Sequence, residues 1–124
     1  GGAFAECTGL EATMEPKVIK EGGLNYGAHQ RVGTVSFATV ILRRGMTLNT
    51  DLWAWFQQVT LSGSYTHRMD VDIRHLDVDG QTEIRRWHLN RALPVKFKSS
   101  DLSAKGAEIA IEELHLVHEG LQLI

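Results

Sequence analysis

The pair Asp79-Gly80 stands between two strand-like runs, Met69-Asp-Val-Asp-Ile-Arg-His-Leu and Thr82-Glu-Ile-Arg-Arg-Trp-His-Leu. An Asp-Gly pair in that setting is the strongest short-range signal for a β-hairpin, because a tight turn needs the positive φ that these residues tolerate. The two runs are therefore expected to pair antiparallel. In the first run Met69, Val71 and Ile73 share one face, and Asp70, Asp72 and Arg74 share the other. The first face is expected to be buried and the second wet. This hairpin commits the chain to a sheet and sets the frame for the other segments.

The stretch from Gly33 to Gly45 is rich in β-branched residues and bounded by glycines, with no polar face, which predicts one central strand buried on both sides. Asn90 and Pro94 predict a bend after Trp87-His-Leu, since proline lacks a ladder donor and fixes φ. Val95-Lys-Phe97-Lys then resumes alternation, as a kinked or restarted strand. One segment has local helix signals. Thr50 suits an N-cap, Asp51 the positive end of the dipole, and Leu52, Trp55, Phe56 and Val59 fall at helical spacing. These predict a helix over about 51–61, ended by Gly63 and covering one face of the sheet.

Residues 107–121 carry two patterns. Ala107, Ala110, Ile111, Leu114, Val117 and Leu121 trace a helical stripe. With period two, Ile109 and Ile111 share one face and Leu114 and Leu116 the other, which requires a bulge or two-sided burial near Glu112-Glu113. Periodicity alone favours the helix. The glycine-rich stretch from Glu21 to Gly33 is expected to be an extended loop.

Composition excludes several functional classes. At 124 residues, the chain is expected to form a single domain over 1–124. Thirteen basic against fifteen acidic side chains give a net charge of −2, which does not steer a protein toward nucleic acid or anionic lipid. Sequence-specific nucleic-acid binding is not expected. No apolar run approaches the ~18–20 residues of a membrane-spanning helix, and no membrane anchoring is expected. The single cysteine, Cys7, can form neither an internal disulfide nor a cysteine-rich zinc site, and reads as a small buried apolar residue. Gly1-Gly2-Ala3-Phe4 has no initiator Met and no signal segment, so residues are expected to precede it.

The candidate chemical sites are few. His115 and His118, beside Glu112, Glu113 and Glu119, would share a helix face and with a carboxylate could grip a divalent ion; on a strand their odd separation puts them on opposite faces. The His-Glu-x-x-His pattern of zinc proteases is absent. Asp70, Asp72, Asp77 and Asp79 lack the spacing of an EF-hand loop, and turn chemistry accounts for Asp79-Gly80. Asp70 and Asp72 as paired acid and base lack the apolar flank that would raise one pKa. No ordered Ser, His and Asp set and no phosphate-cradling glycine loop is present. No catalytic residue, cofactor or metal is expected. Trp53 and Trp55 are expected to divide between core packing and an interface anchor.

Six segments in order resemble the tail tube family of contractile phages and extracellular contractile injection systems. They are Phe4-x-Glu6-Cys7-Thr8-Gly9-Leu10, Lys20-Glu21-Gly22-Gly23-x-Asn25, Leu42-Arg43-Arg44-Gly45, Leu52-Trp53-x-Trp55, Trp87-x-Leu89-Asn90-x-Ala92-x-Pro94-Val95-Lys96, and Ala110-Ile111-Glu112-x-Leu114-x-Leu116-x-His118-Glu119-Gly120-Leu121. The chain departs from that family at Arg31-Val32-Gly33, where Leu-Pro-Gly is usual, and the family's first strand would lie before Gly1.

The resemblance implies a mainly β fold, two packed antiparallel sheets forming a small barrel or sandwich with one flanking helix, related to the hexameric tube proteins of type VI secretion. It implies a strand, not a helix, at 107–118. It further implies homo-hexameric rings stacked into a hollow inner tube, driven by a contractile sheath, ending in baseplate, tip and terminator proteins, and conducting DNA or protein cargo. Assembly in the bacterial cytoplasm, then a place in a virion tail or a released particle, follows from the same likeness. On this basis Glu21, Gly22, Gly23, Asn25 and Tyr26 are expected to contact a neighbouring subunit or ring, and Asp70, Asp72 and Arg74 to face the lumen or the sheath. The competing reading is a stand-alone β-sandwich that binds carbohydrate through Trp53, Trp55 or Trp87; an enzyme using His115 and His118 comes third.

Overall fold

The computed structural model describes residues 3–19, 29–45, 50–62, 68–100 and 110–124. In chain order its strands are β1 (Glu6–Thr8), β2 (Ala12–Met14), β3 (Lys17–Ile19), β4 (His29–Arg31), β5 (Val35–Phe37) and β6 (Val40–Gly45). Helix α1 (Asp51–Ser62) follows, then β7 (Met69–Leu76), β8 (Glu83–Ser99), β9 (Ile111–Val117) and β10 (Gly120–Leu123). The fold is mainly β with one helix, and the large sheet curls into a half-barrel.

The expected hairpin is β7 with β8, paired antiparallel from Met69↔Ala92 to Leu76↔Glu83. Its turn is built on Asp79. The Asp79 carboxylate accepts the Gln81 and Thr82 amides, both at 2.9 Å, and the Thr82 hydroxyl at 2.6 Å, while Gly80 takes a φ of 72°. These bonds to the ionised carboxyl lower its pKa from the ordinary 3.8 to about 2.

The expected bend near Pro94 is instead a change of partner inside one continuous strand. β8 pairs with β7 through Ala92, and then with β9 from Leu93↔Val117 to Ser99↔Glu112. The register shifts between Pro94 and Lys96, where proline supplies no amide. Arg91 takes a positive φ of 48° at the switch, and the Asp70 carboxylate accepts its amide at 2.9 Å. A charge-assisted bond to a backbone N–H offsets the ~1 kcal/mol or more that a non-glycine residue costs in this region.

The main sheet runs β1-β6-β9-β8-β10, with β7 also on β8. The central strand expected over 33–45 is divided. Ala38 and Thr39 break it, β6 alone enters the core, and Val35 at the head of β5 is 47% exposed. The break matches Gly9 on the facing segment. Gly9 has a φ of 89°, and a Cβ there would lie 2.0 Å from the Thr39 carbonyl oxygen. Beyond it the two segments continue as β2 with β5 and β3 with β4, a narrow ribbon leaving the sheet. At Gly33 a Cβ would lie 1.7 Å from the Glu15 carbonyl oxygen, so this glycine allows the two ribbon backbones to touch.

The helical stripe is overturned over the described residues 110–121, while residues 107–109 lie outside them. Residues 111–117 are β9, antiparallel to β6 from Val40↔Leu116 to Gly45↔Ile111, and residues 120–123 are β10, antiparallel to β8. Leu114 and Leu116 are fully buried, and Glu112 beside them is also buried. A buried glutamate breaks the polar alternation that would have marked this strand, and its cause is Arg44. Arg44, 4% exposed, donates from Nε to Glu112 and from Nη2 to Asp51 at 3.1 Å, with its guanidinium carbon 5.5 Å from the centre of the Phe4 ring. Burial works against the Arg44 charge, and the two carboxylates outweigh it.

Asp51 thereby ties α1 to the sheet. It also accepts the Leu52 amide at 2.9 Å, and the Thr50 carbonyl accepts the Ala54 amide, as expected of a helix start at Thr50. Leu52 and Trp55 pack on the core, whereas Trp53 is 45% exposed and meets the edge of Phe97 with ring centres 5.3 Å apart. The core proper is Val40, Leu42, Leu89, Ala92, Leu114 and Leu116, from β6, β8 and β9. Cys7, Val71, Ile73 and Leu121 close its margins, while Met69, expected inside, is 51% exposed.

Candidate functional site

Two polar faces stand out among the described residues. The first lies across β7 and β8. Asp72 is opposite His88 and bonds its Nδ1 at 2.5 Å; Asp70 Oδ2 lies 3.4 Å from His88 Nε2. The Asp72 bond and the charge of both carboxylates raise the His88 pKa above its usual value. Arg74 donates to Glu83 at 2.7 Å, and Arg86 joins the same carboxylate at 2.9 Å, holding it below the ordinary glutamate range. Asp70, Asp72 and Arg74 are all exposed, as the alternation predicts. Each has a partner within the hairpin, Asp70 the Arg91 amide, Asp72 the His88 ring and Arg74 the Glu83 carboxylate.

The second face is the side of the β1-β6-β9-β8 sheet turned away from the core. Strand register places Glu6 opposite Arg43, Arg43 opposite Glu113, and Glu113 opposite Lys98. One row thus alternates acid and base across four strands. Arg43 reaches Glu6 at 3.2 Å and Glu113 at 3.0 Å, and Glu113 also holds His115 Nε2 at 2.5 Å. The His115 bond first, then Arg43, keeps Glu113 below the usual glutamate range. A shallow groove lined by Arg43, Lys98, Ser100, Ile111 and Glu113 lies on this face.

His115 and His118 are not brought together. His118 stacks against Phe37 at 5.0 Å, and both of its ring nitrogens are buried without a hydrogen-bond partner. Burial depresses its pKa; the Gly120 backbone offsets this only in part and falls short of hydrogen-bond geometry. Among the described residues no group of three or more His, Cys, Asp or Glu side chains is placed to hold a metal ion. No helix among them is long and apolar enough to cross a membrane.

The family model for the T4-like virus tail tube protein gp19 matches residues 1–122. The chain belongs to this tail tube family. Its role is structural, as a subunit of a tube. Solved structures agree. A chain in the anti-feeding prophage baseplate, 6-fold symmetrised, is similar at 28% identity and a TM-score of 0.79, over 98% of this chain and 80% of that one. A chain in the sheath-tube complex of the PVC extracellular contractile injection system, in its extended state, shares the fold at 20% identity and a TM-score of 0.81, with the same coverage. Hcp1 from Flavobacterium johnsoniae shares it more loosely, at 13% identity and a TM-score of 0.56, over 93% of this chain and 84% of that one. Comparison with curated protein sequences returns no match.

Within this tail tube subunit, Glu21, Gly22, Gly23, Asn25 and Tyr26 lie outside the described residues; the ribbon of β3 and β4 leads to them on both sides. The carbohydrate-binding alternative is not favoured. Trp55 packs on the core, Trp87 is half-buried in β8, and only Trp53 is exposed. The row Glu6, Arg43, Glu113 and Lys98 escapes a reading of the sequence because it exists only in the register of four strands. Its trace in the sequence is a polar residue at every second position, as in Glu113 and His115 or Lys96 and Lys98.

Proposed function

We propose that this tail tube subunit forms hexameric rings that stack into the hollow inner tube of a contractile injection system or phage tail. The observation that carries the reading is the pair of open edges. Among the described residues, β1 pairs only with β6, and β8 beyond Ala92 pairs only with β9, so the sheet ends in unpaired strands on both sides. Open edges invite strand addition, and closure into a ring removes them. A head-to-tail contact that closes on itself makes the ring, and a different surface stacks ring on ring. The ribbon of β2, β3, β4 and β5 suits the second task. It exposes Met14, Val18, Val32 and Val35, and a two-stranded ribbon is only marginally stable alone. The segment 21–26, which links β3 to β4 in the chain, then contacts a neighbouring subunit or ring.

On this reading a contractile sheath surrounds the tube, baseplate and terminator proteins bound it, and the lumen conducts DNA or protein. The paired face of Asp70, Asp72 and Arg74 fronts the sheath or the lumen without a net field to grip either. The action is mechanical rather than catalytic, in a particle assembled in the bacterial cytoplasm and carried as a virion tail or released. The neighbouring structures, drawn from a baseplate, a sheath-tube complex and a sheath/tube terminator, support these partners. Negative-stain electron microscopy of the purified protein tests the reading. Hexameric rings or tubes are expected, and a strictly monomeric protein at high concentration overturns it.

A further inference from the structure

We infer that the charge row of the β1-β6-β9-β8 sheet directs head-to-tail ring closure, bringing Glu6 of one copy to Lys98 of the next. The inference rests on the ring reading above and adds the residues that fix it.

Three observations carry it. First, the row is polarised. It runs Glu6, Arg43, Glu113, Lys98 from one open edge to the other, beginning with an acid and ending with a base. Its interior charges are paired, Arg43 with Glu6 and Glu113. Lys98 is exposed and has no ion pair among the described residues, which leaves a cation at the open edge of β8. Second, strand direction permits the union. The order β1-β6-β9-β8 is antiparallel at each step. With an even number of strands, laying one copy's β8 beside the next copy's β1 continues the antiparallel alternation without a fault. Third, the faces agree. Phe97, next to Lys98, meets Trp53 of the helix, so Lys98 points to the other side, the same side as Glu113 and, through the register, Arg43 and Glu6.

The union therefore brings Glu6 to the neighbour's Lys98 on the same face, so that an acid and a base meet at every junction. A slip by one residue would turn the next copy's core face outward. Opposite charges directly across a strand pair favour joining the unlike edges, and a slip by two only exchanges Lys96 for Lys98 as the base beside Glu6. Reversed approach of two copies, β1 to β1 or β8 to β8, would juxtapose Glu6 with Glu6 or Lys98 with Lys98. The row thus selects head-to-tail closure over a two-fold dimer.

Disulfide trapping tests this in the full chain. In a Cys7→Ser background, Glu6→Cys and Lys98→Cys are introduced together. Within one copy the two positions lie at opposite edges, three strand spacings or about 14 Å apart, well beyond the ~7 Å that a disulfide can bridge. Any bond must join two copies. Mild oxidation of assembled tubes is expected to give a ladder of covalent multimers on a non-reducing gel, while each single-cysteine variant stays monomeric. Tubes that assemble without cross-linking, or that cross-link through Lys96→Cys in place of Lys98→Cys, overturn the inference and leave the ring reading standing. Parent protein that forms no rings overturns both. Charge reversal gives a second readout: Lys98→Glu is expected to lose sedimentable tubes with an unchanged circular dichroism spectrum, and Lys98→Arg to keep them. Normal tubes from Lys98→Glu also overturn the inference.

Discussion

At the residue scale the strongest constraints are buried polar groups. Arg44 and Glu112 are 4% and 8% exposed, and together they join β6, β9 and, through Asp51, the start of α1. A buried pair of this kind gives little net stability, yet removing one partner strands the other charge out of water. Glu112→Leu is expected to cost about 3–5 kcal/mol in urea unfolding, whereas Glu112→Leu with Arg44→Met should recover most of that loss. A double variant as unstable as the single one would show that the pair does more than neutralise itself. His118 presents the opposite case, two buried ring nitrogens with no partner. Leaving such groups unsatisfied costs about 1–3 kcal/mol, so His118→Phe, which keeps a ring against Phe37, is expected to stabilise the fold by an amount within that range. The pH dependence has a definite sign. Burial depresses the folded-state pKa of His118 below its ordinary 6.5. The stability associated with the neutral ring is present above 6.5 and lost as pH falls through the folded value. His118→Phe should therefore flatten the decline of melting temperature on the acid side of 6.5, and an unchanged slope would contradict the assignment.

At the element scale, the outcome depends on where backbone geometry is decided locally. Gly9 and Gly80 both have positive φ, but a Cβ at Gly9 would strike the Thr39 carbonyl whereas Gly80 faces open space. Gly80→Ala is expected to cost only the ~1–2 kcal/mol of the left-handed backbone. Gly9→Ala adds a backbone clash and should cost well above about 2 kcal/mol, with β1 separating from β6; equal losses by thermal unfolding would refute this contrast. Legibility in the sequence follows the same division. The β7-β8 hairpin and the start of α1 were legible because Asp79-Gly80 and Thr50-Asp51 act on their own neighbours. The strand at 111–117 was not legible from periodicity, because Glu112 is buried by an arginine 68 residues away and Ala110, Ile111, Leu114 and Val117 chance upon helical spacing. Likeness to the family, which carries tertiary information, gave the strand. The single strand expected over 33–45 failed for a similar reason, since the break at Ala38-Thr39 answers to Gly9 on the facing segment. Of the polar faces, Asp70, Asp72 and Arg74 were visible by alternation, and the Glu6 to Lys98 row was not.

At the scale of the whole molecule, the body and the ribbon have different sources of stability, and this separates folding from assembly. The body buries Val40, Leu42, Leu89, Leu114 and Leu116, side chains each worth about 1.5–3 kcal/mol when removed from water. None of these lies in β2, β3, β4 or β5. The ribbon instead leaves Val18 and Val32 more than half exposed and pairs only within itself among the described residues. Such a ribbon adds little to the subunit, and its apolar surface gains only when another copy covers it. Deleting residues 22–30, which removes the connection between β3 and β4 and most of β4 itself, should therefore leave the melting temperature of the subunit within a few degrees. The same deletion should abolish stacked tubes in electron micrographs, because the surface proposed to join one ring to the next is lost. On the proposed reading, ring closure draws on the separate edges of β1 and β8, so short or single rings are expected to persist. Intact tubes after the deletion would remove the ribbon from the stacking surface, and an unfolded subunit would show that the ribbon belongs to the body.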